Sequence, residues 1–133
     1  MSVELNHTIV RARDRQASAE FTATILGLEV GAPFGPFLPV VTANGVTLDF
    51  ANSDPDEIVP QHYAFLVSEE DFDAIFQRIQ QAGLTYYADP SRSRPGQINR
   101  NDGGRGTYFE DPDGHFLEIL TRPYGSGAQE PSE

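Results

Sequence analysis

The chain is 133 residues long and 38% apolar, and its 20 acidic against 9 basic side chains give a formal charge of −11. That is the length of one domain, and the charge excludes a nucleic-acid binder, which needs a basic face to displace counterions. Every basic residue is Arg, and Lys, Cys and Trp are absent, so Schiff-base lysine chemistry, thiol nucleophiles, disulfides and thiolate metal sites are excluded together.

Residues 3–11 alternate, with Val3, Leu5, His7, Ile9 and Arg11 on one face, and read as a strand. Asp14 caps a helix over about 15–26, in which Ala17, Phe21, Ile25 and Leu28 recur at helical spacing and Gly27 provides the stop. A Gly- and Pro-rich stretch leads into a strand at 40–43. Asn44-Gly45 then marks a hairpin, and 46–51 is the returning strand. A polar, acidic linker covers 53–60. The series restarts with a strand at 62–67 and a helix opened by Ser68 and Asp71, whose Phe72, Ile75, Phe76 and Ile79 form one apolar stripe ending at Gly83. Strand-like 84–87, a long loop from about 88 to 105, and a second hairpin of 107–110 and 116–120 around Asp111-Pro112-Asp113-Gly114 follow. From Pro123 onward the chain is polar and is expected to fray. No apolar run approaches the roughly 18–20 residues of a membrane span, and MSVELNHTIV carries no basic-then-apolar leader. A soluble, cytoplasmic domain with no membrane partner is expected.

The two halves can be laid on each other. Matching His7 to His62 gives an offset of 55. Matching Asn44-Gly45-Val46-Thr47-Leu48-Asp49-Phe50 to Asp113-Gly114-His115-Phe116-Leu117-Glu118-Ile119 gives an offset of 69, so the second half is longer within its 88–105 loop. The expectation is a single α+β domain of two tandem βαβββ modules, at about 3–52 and 61–122, joined by 53–60 and followed by a tail at 123–133. Each module offers one His on its first strand and one carboxylate, Asp49 or Glu118, on its last. Two neutral imidazoles with one or two carboxylates make a site for a divalent first-row metal with open positions. His115, beside Gly114 and on the strand side opposite to Glu118, reads as structural.

Leu5-Asn6-His7, Gln61-His62-Tyr63-Ala64-Phe65 and the run from Tyr108 through Asp111-Pro112-Asp113-Gly114 to Glu118-Ile119 resemble the vicinal oxygen chelate superfamily. That group includes glyoxalase I, fosfomycin thiol transferases, type I extradiol dioxygenases and bleomycin-resistance proteins. The resemblance spans about 3–122. It implies sheets curled around a cavity that holds one divalent ion (nickel, zinc, manganese, iron or cobalt), and a homodimer. Three shared metal ligands match His7, His62 and Glu118, and Asp49 falls where glyoxalase I has a fourth, longer carboxylate. The activity implied is glyoxalase-like lyase or isomerase chemistry on a small anionic substrate. There the metal chelates two neighbouring oxygens, and Glu118, with Asp49, moves the proton of an enediolate. Arg11 matches an arginine that engages a substrate carboxylate, and Tyr108 matches a tyrosine that contacts the anionic substrate of fosfomycin thiol transferases.

The alternatives are a thiol transferase or Fe(II) dioxygenase using His7, His62 and Glu118 alone, or a non-catalytic drug-binding protein on the same fold. Against the thiol transferase stand Ile9, where those enzymes carry Thr, and the lack of any Lys. The loop at 88–105 holds Arg92, Arg94, Arg100 and Arg105. It is expected to cover the metal and to bind an anionic part of the substrate through Asn99, Arg100 and Arg105, since guanidinium groups suit bidentate capture of oxyanions. The competing reading is a surface loop whose arginines pair with acidic neighbours.

Overall fold

The computed structural model describes residues 2–127, which form two compact units. The first runs to Pro60 and includes Asp111–Asp113. The second comprises Gln61–Glu110 and the residues from Gly114 onward.

In the first unit, β1 (His7–Ala12), α1 (Arg15–Leu26), β2 (Phe37–Val41) and β3 (Thr47–Asn52) build a three-stranded sheet of order β1-β3-β2. β1 is parallel to β3, and β2 is antiparallel to it. Asp14 caps α1 by accepting from the Gln16 and Ala17 amides, and Gly27 ends it at φ 76°. β1 begins at His7 and not at Val3, because its partner β3 begins at Thr47, whose amide donates to the Asn6 carbonyl at 2.9 Å and opens the ladder there. The Gly- and Pro-rich segment before β2 contributes only the isolated bridges Val30 to Val40 and Phe34 to Phe37, and β2 lies at 37–41, against the strand expected at 40–43. The buried face of α1 is Ser18, Ala19, Thr22, Ala23 and Ile25, with Ala17 exposed, so the stripe is rotated from the expected one. Val10, Ala12, Leu38, Val40, Leu48 and Phe50 bury the sheet's helix side.

The Asp111–Asp113 turn belongs to this unit because Asp113 is held there. It accepts from the Arg13 amide and Nε, both at 3.0 Å, and from the Ser18 hydroxyl. Burial pushes the Asp113 carboxyl up, but the Ser18 hydroxyl and Arg13 outweigh it and hold the group below the usual Asp range.

The second unit comprises β4 (His62–Leu66), α2 (Glu69–Gln81), β5 (Tyr86–Tyr87), β6 (Gly106–Glu110) and β7 (Phe116–Leu120) in the order β4-β7-β6-β5. β4 is parallel to β7, and the other pairs are antiparallel. Ser68 caps α2 through the Asp71 amide. Phe72, Ile75 and Ile79 are buried, and Phe76 meets the Tyr86 ring edge-on at 4.9 Å, so α2 covers the face that carries Tyr86, Phe109, Leu117 and Ile119. His115 lies on this helix side, fully buried against Tyr63, and accepts from the Gln61 amide at 2.9 Å. The opposite face carries His62, Ala64, Tyr108 and Glu118. No helix among the described residues is long and apolar enough to cross a membrane.

Residues 123–127, expected to fray, instead form a turn pinned to Asp102, and the rest of the expected tail, 128–133, lies outside the described residues.

Candidate metal centre

Parallel pairing sets the geometry of both His-and-carboxylate pairs. On β4 and β7, His62 stands opposite Phe116 and Ala64 opposite Glu118, so His62 and Glu118 are diagonal neighbours on one face. The His62 Nδ1–H donates to the Phe116 carbonyl at 2.9 Å, which leaves Nε2 as the lone-pair nitrogen, 3.1 Å from Glu118 Oε1. Two acceptors facing each other at this distance require a cation between them, either a proton or a metal ion. Adjacent ligands of an octahedral ion at about 2.1 Å stand about 3.0 Å apart, which is the spacing here. Glu118 is 1% exposed although it is a carboxylate in an apolar strand, a cost that hydrogen-bonding or cationic partners must offset.

The first unit has the same register. His7 stands opposite Thr47 and Ile9 opposite Asp49, so His7, Arg11 and Asp49 share one face. His7 Nδ1 lies 2.7 Å from Asn6 Oδ1, an acceptor, so Nδ1–H donates and the ring lone pair is on Nε2. Asp49 is half-buried and its carbon neighbours across the ladder are Ile9 and Pro39. Among the described residues, no three His, Asp or Glu side chains converge as a metal-holding group. The structure brings together His62 and Glu118. His7 and Asp49 belong to the sheet of the other unit.

Around His62 and Glu118 lies an aromatic panel. Tyr108, opposite Glu118 in the ladder, stacks on Phe116 at 5.4 Å and on His62 at 5.9 Å, and Tyr87 pairs with Tyr108. Arg92 completes it, with its guanidinium 4.0 Å above the Phe116 ring and 2.9 Å from Glu110. Arg92 is held in the left-handed region at φ 61° by a tight turn around Asp89, whose carboxylate accepts from the Ser91 hydroxyl at 2.6 Å and the Arg94 amide at 2.9 Å. Those hydroxyl and amide donors, Ser91 first, depress the Asp89 carboxyl far below its ordinary value.

The expected loop ligands are placed otherwise. Arg105 alternates with Gly106 and Tyr108 and therefore faces α2, where it pairs with Glu69 and Asp73 at 2.8 Å each, over the Phe72 ring. Asn99 is buried and donates its amide to the Ala88 carbonyl at 2.9 Å, a bond that fastens the loop. Arg100 is exposed at the start of the Asn101–Gly103 turn. Arg92 is thus the loop arginine on the face of His62 and Glu118. Its sequence signal, a Ser and Asp turn around one arginine, is weak.

Tyr124 is the other residue that the sequence concealed. Its hydroxyl donates to Glu118 Oε2 and accepts from Tyr108 at 2.8 Å. Burial and then the Glu118 carboxylate push the Tyr124 phenol well above the usual tyrosine range, and burial raises Tyr108. Tyr124 therefore remains a neutral donor to Glu118.

A paired set of βαβ-type units with a buried Glu on the strand after a DPDG turn defines one structural class. The chain belongs to the Glyoxalase/Bleomycin resistance protein/Dioxygenase superfamily, whose sequence profile matches residues 4–119. It is 68% identical to the solved oxidase ChaP-H2, with a TM-score of 0.93 over 96% of this chain and 100% of that one. The oxidase ChaP-H1 is 62% identical, with a TM-score of 0.89 over 93% and 99%. Glutathione transferase FosA of Serratia marcescens is 34% identical over 127 residues, which is 90% of this chain and 81% of that protein. These relatives are enzymes, and the donor set around His62 and Glu118 fits a divalent metal. An enzyme of this superfamily is the conclusion they support together.

Proposed function

We propose that the chain is a metal-dependent oxidase of a planar, oxygenated aromatic molecule. The observation that carries this reading is the 68% identity to the oxidase ChaP-H2 along that whole chain. The aromatic panel of Tyr87, Tyr108 and Phe116 beside His62 and Glu118 agrees with it, since flat rings stack on such a surface. His62 and Glu118 would hold the ion, with His7 as third ligand, the two-His-one-carboxylate pattern that leaves positions open. When bound, the metal supplies those open positions and electron exchange with dioxygen. Arg92 neutralises an anionic or carbonyl oxygen of the substrate, Tyr108 packs against its ring, and Arg11 lies beside His7 for a second oxygen.

His7 in this reading comes from a second copy of the chain. Its flanking residues Val3 and Leu5 are 87% and 70% exposed, and Leu66, on the face of His62, is 62% exposed. Apolar side chains of this size around metal ligands call for a covering partner. Asp49 stays off the metal, since it is one methylene shorter than Glu and stands opposite Ile9.

A second reading, thiol transfer, rests on the 34% identity to FosA. Ile9 and the absence of Lys weigh against it. Lyase chemistry, expected from the sequence, is not carried forward, because the relatives above are oxidases and a transferase. Protein loaded anaerobically with Fe(II) and offered a panel of phenolic aromatics should consume oxygen. Consumption of glutathione with an epoxide, and no oxygen uptake, would move the assignment to the transferase.

A further inference from the structure

We infer that the turn at 123–127 is a latch that sets the metal-binding form of Glu118. The inference deepens the metal reading above and rests on it. Asp102, in the 88–105 loop, has a left-handed backbone at φ 57°, which a short polar side chain tolerates better than most. Its Oδ1 accepts from the Gly125 amide at 3.1 Å and the Gly127 amide at 3.3 Å. The turn is closed internally by the Ser126 amide on the Pro123 carbonyl at 3.0 Å and by Arg122 on the Ser126 carbonyl at 3.0 Å. Gly127 sits so near Asp102 that any Cβ there would overlap the Asp102 carbonyl. This close approach fixes where Tyr124 stands.

Tyr124 is 60% exposed, yet its hydroxyl reaches inward to Glu118 Oε2. The carboxylate then has one oxygen engaged and one, Oε1, facing His62 Nε2. A carboxylate so held offers the metal a single oxygen in a fixed orientation and cannot rotate to a bidentate mode. Tyr124 is therefore a positioning residue for Glu118, and Asp102 positions Tyr124 from a loop distant in sequence. Outer partners of metal-bound carboxylates contribute about 10–100-fold in metal affinity.

Cobalt(II) titration of the full-length protein, followed by visible absorption, tests this. Tyr124→Phe should weaken Co(II) binding about tenfold and change the ligand-field bands, while the metal-free melting temperature stays near that of the parent. Gly127→Ala, which displaces the turn without touching the site, should reproduce both changes. Asp102→Asn keeps the Oδ1 acceptor and should retain parental affinity and spectrum. Parental Co(II) affinity and bands in both Tyr124→Phe and Gly127→Ala, with binding lost in Glu118→Gln, would overturn the latch and leave the metal site standing. If Glu118→Gln and His62→Ala also bound Co(II) like the parent, the metal reading would fall, and the latch with it.

Discussion

The two halves of the chain carry the same His-and-carboxylate pattern in the same parallel register, yet only one half closes it into a contact. In the second half, Ala64 stands opposite Glu118, and the small side chain leaves room for His62 to lean diagonally onto the carboxylate. In the first half, the equivalent residue is Ile9, opposite the shorter Asp49. Glu118 is buried and held by Tyr124, whereas Asp49 is half-buried. Duplication of a backbone thus reproduces register without reproducing a site. The residue opposite the carboxylate, and one methylene, decide the outcome.

The largest effect should come from Glu118→Gln, which removes the buried carboxylate that would hold the proposed ion. Metal affinity should fall by more than about 100-fold, beyond the range of outer-partner substitutions, and metal content after dialysis reads this directly. Asp49→Asn should lower it by less than about tenfold. An equal loss in both variants would break the comparison. Ala64→Ile places the first half's bulk in the second. It should push His62 off Glu118 and weaken metal binding by roughly 10–100-fold, as measured by calorimetric titration. Unchanged affinity would show that Ile9 is not what separates the halves.

A smaller effect concerns stability. Asp113 is held below the usual Asp range by Ser18 and Arg13, so its contribution is complete above the unfolded-state value and is lost as pH falls through the lower folded value. Asp113→Asn should cost about 1–3 kcal/mol at neutral pH, with the deficit in melting temperature narrowing below about pH 4. A deficit independent of pH would remove the electrostatic explanation.

The smallest expected change in stability is that of Arg92→Gly. Relief of the left-handed backbone, about 1–2 kcal/mol, offsets the loss of an ion pair worth at most about 1 kcal/mol. The melting temperature should hold or rise, while KM for an anionic aromatic substrate rises several-fold and that for a neutral analogue does not. Equal KM changes for both would assign Arg92 to packing alone.

Much of the fold was legible because its signals are local. The Asp14 and Ser68 caps, Gly27, the Asn44-Gly45 turn and the alternation of β6 and β7 each act within a few residues of chain. The neighbours His62 and Glu118 were legible through the repeat, which singled them out at matched positions before any pairing was seen. Three features were not. Arg105 was expected at the metal, but strand alternation turns it toward Glu69 and Asp73. Arg92 reaches that face only through a strained turn, and Tyr124 stood in a segment whose composition suggested fraying.

By itself, the sequence determined that the chain has no Cys or Lys side chain, the repeated strand-and-helix order, and a matched His-plus-carboxylate pattern with the DPDG turn that leads into Glu118. The tertiary structure alone decided which pair closes, which arginine faces it and that Tyr124 holds Glu118. Caps and turns depend on neighbours in the chain, whereas these contacts depend on ladder register and on a loop meeting a distant turn, and no local pattern encodes either.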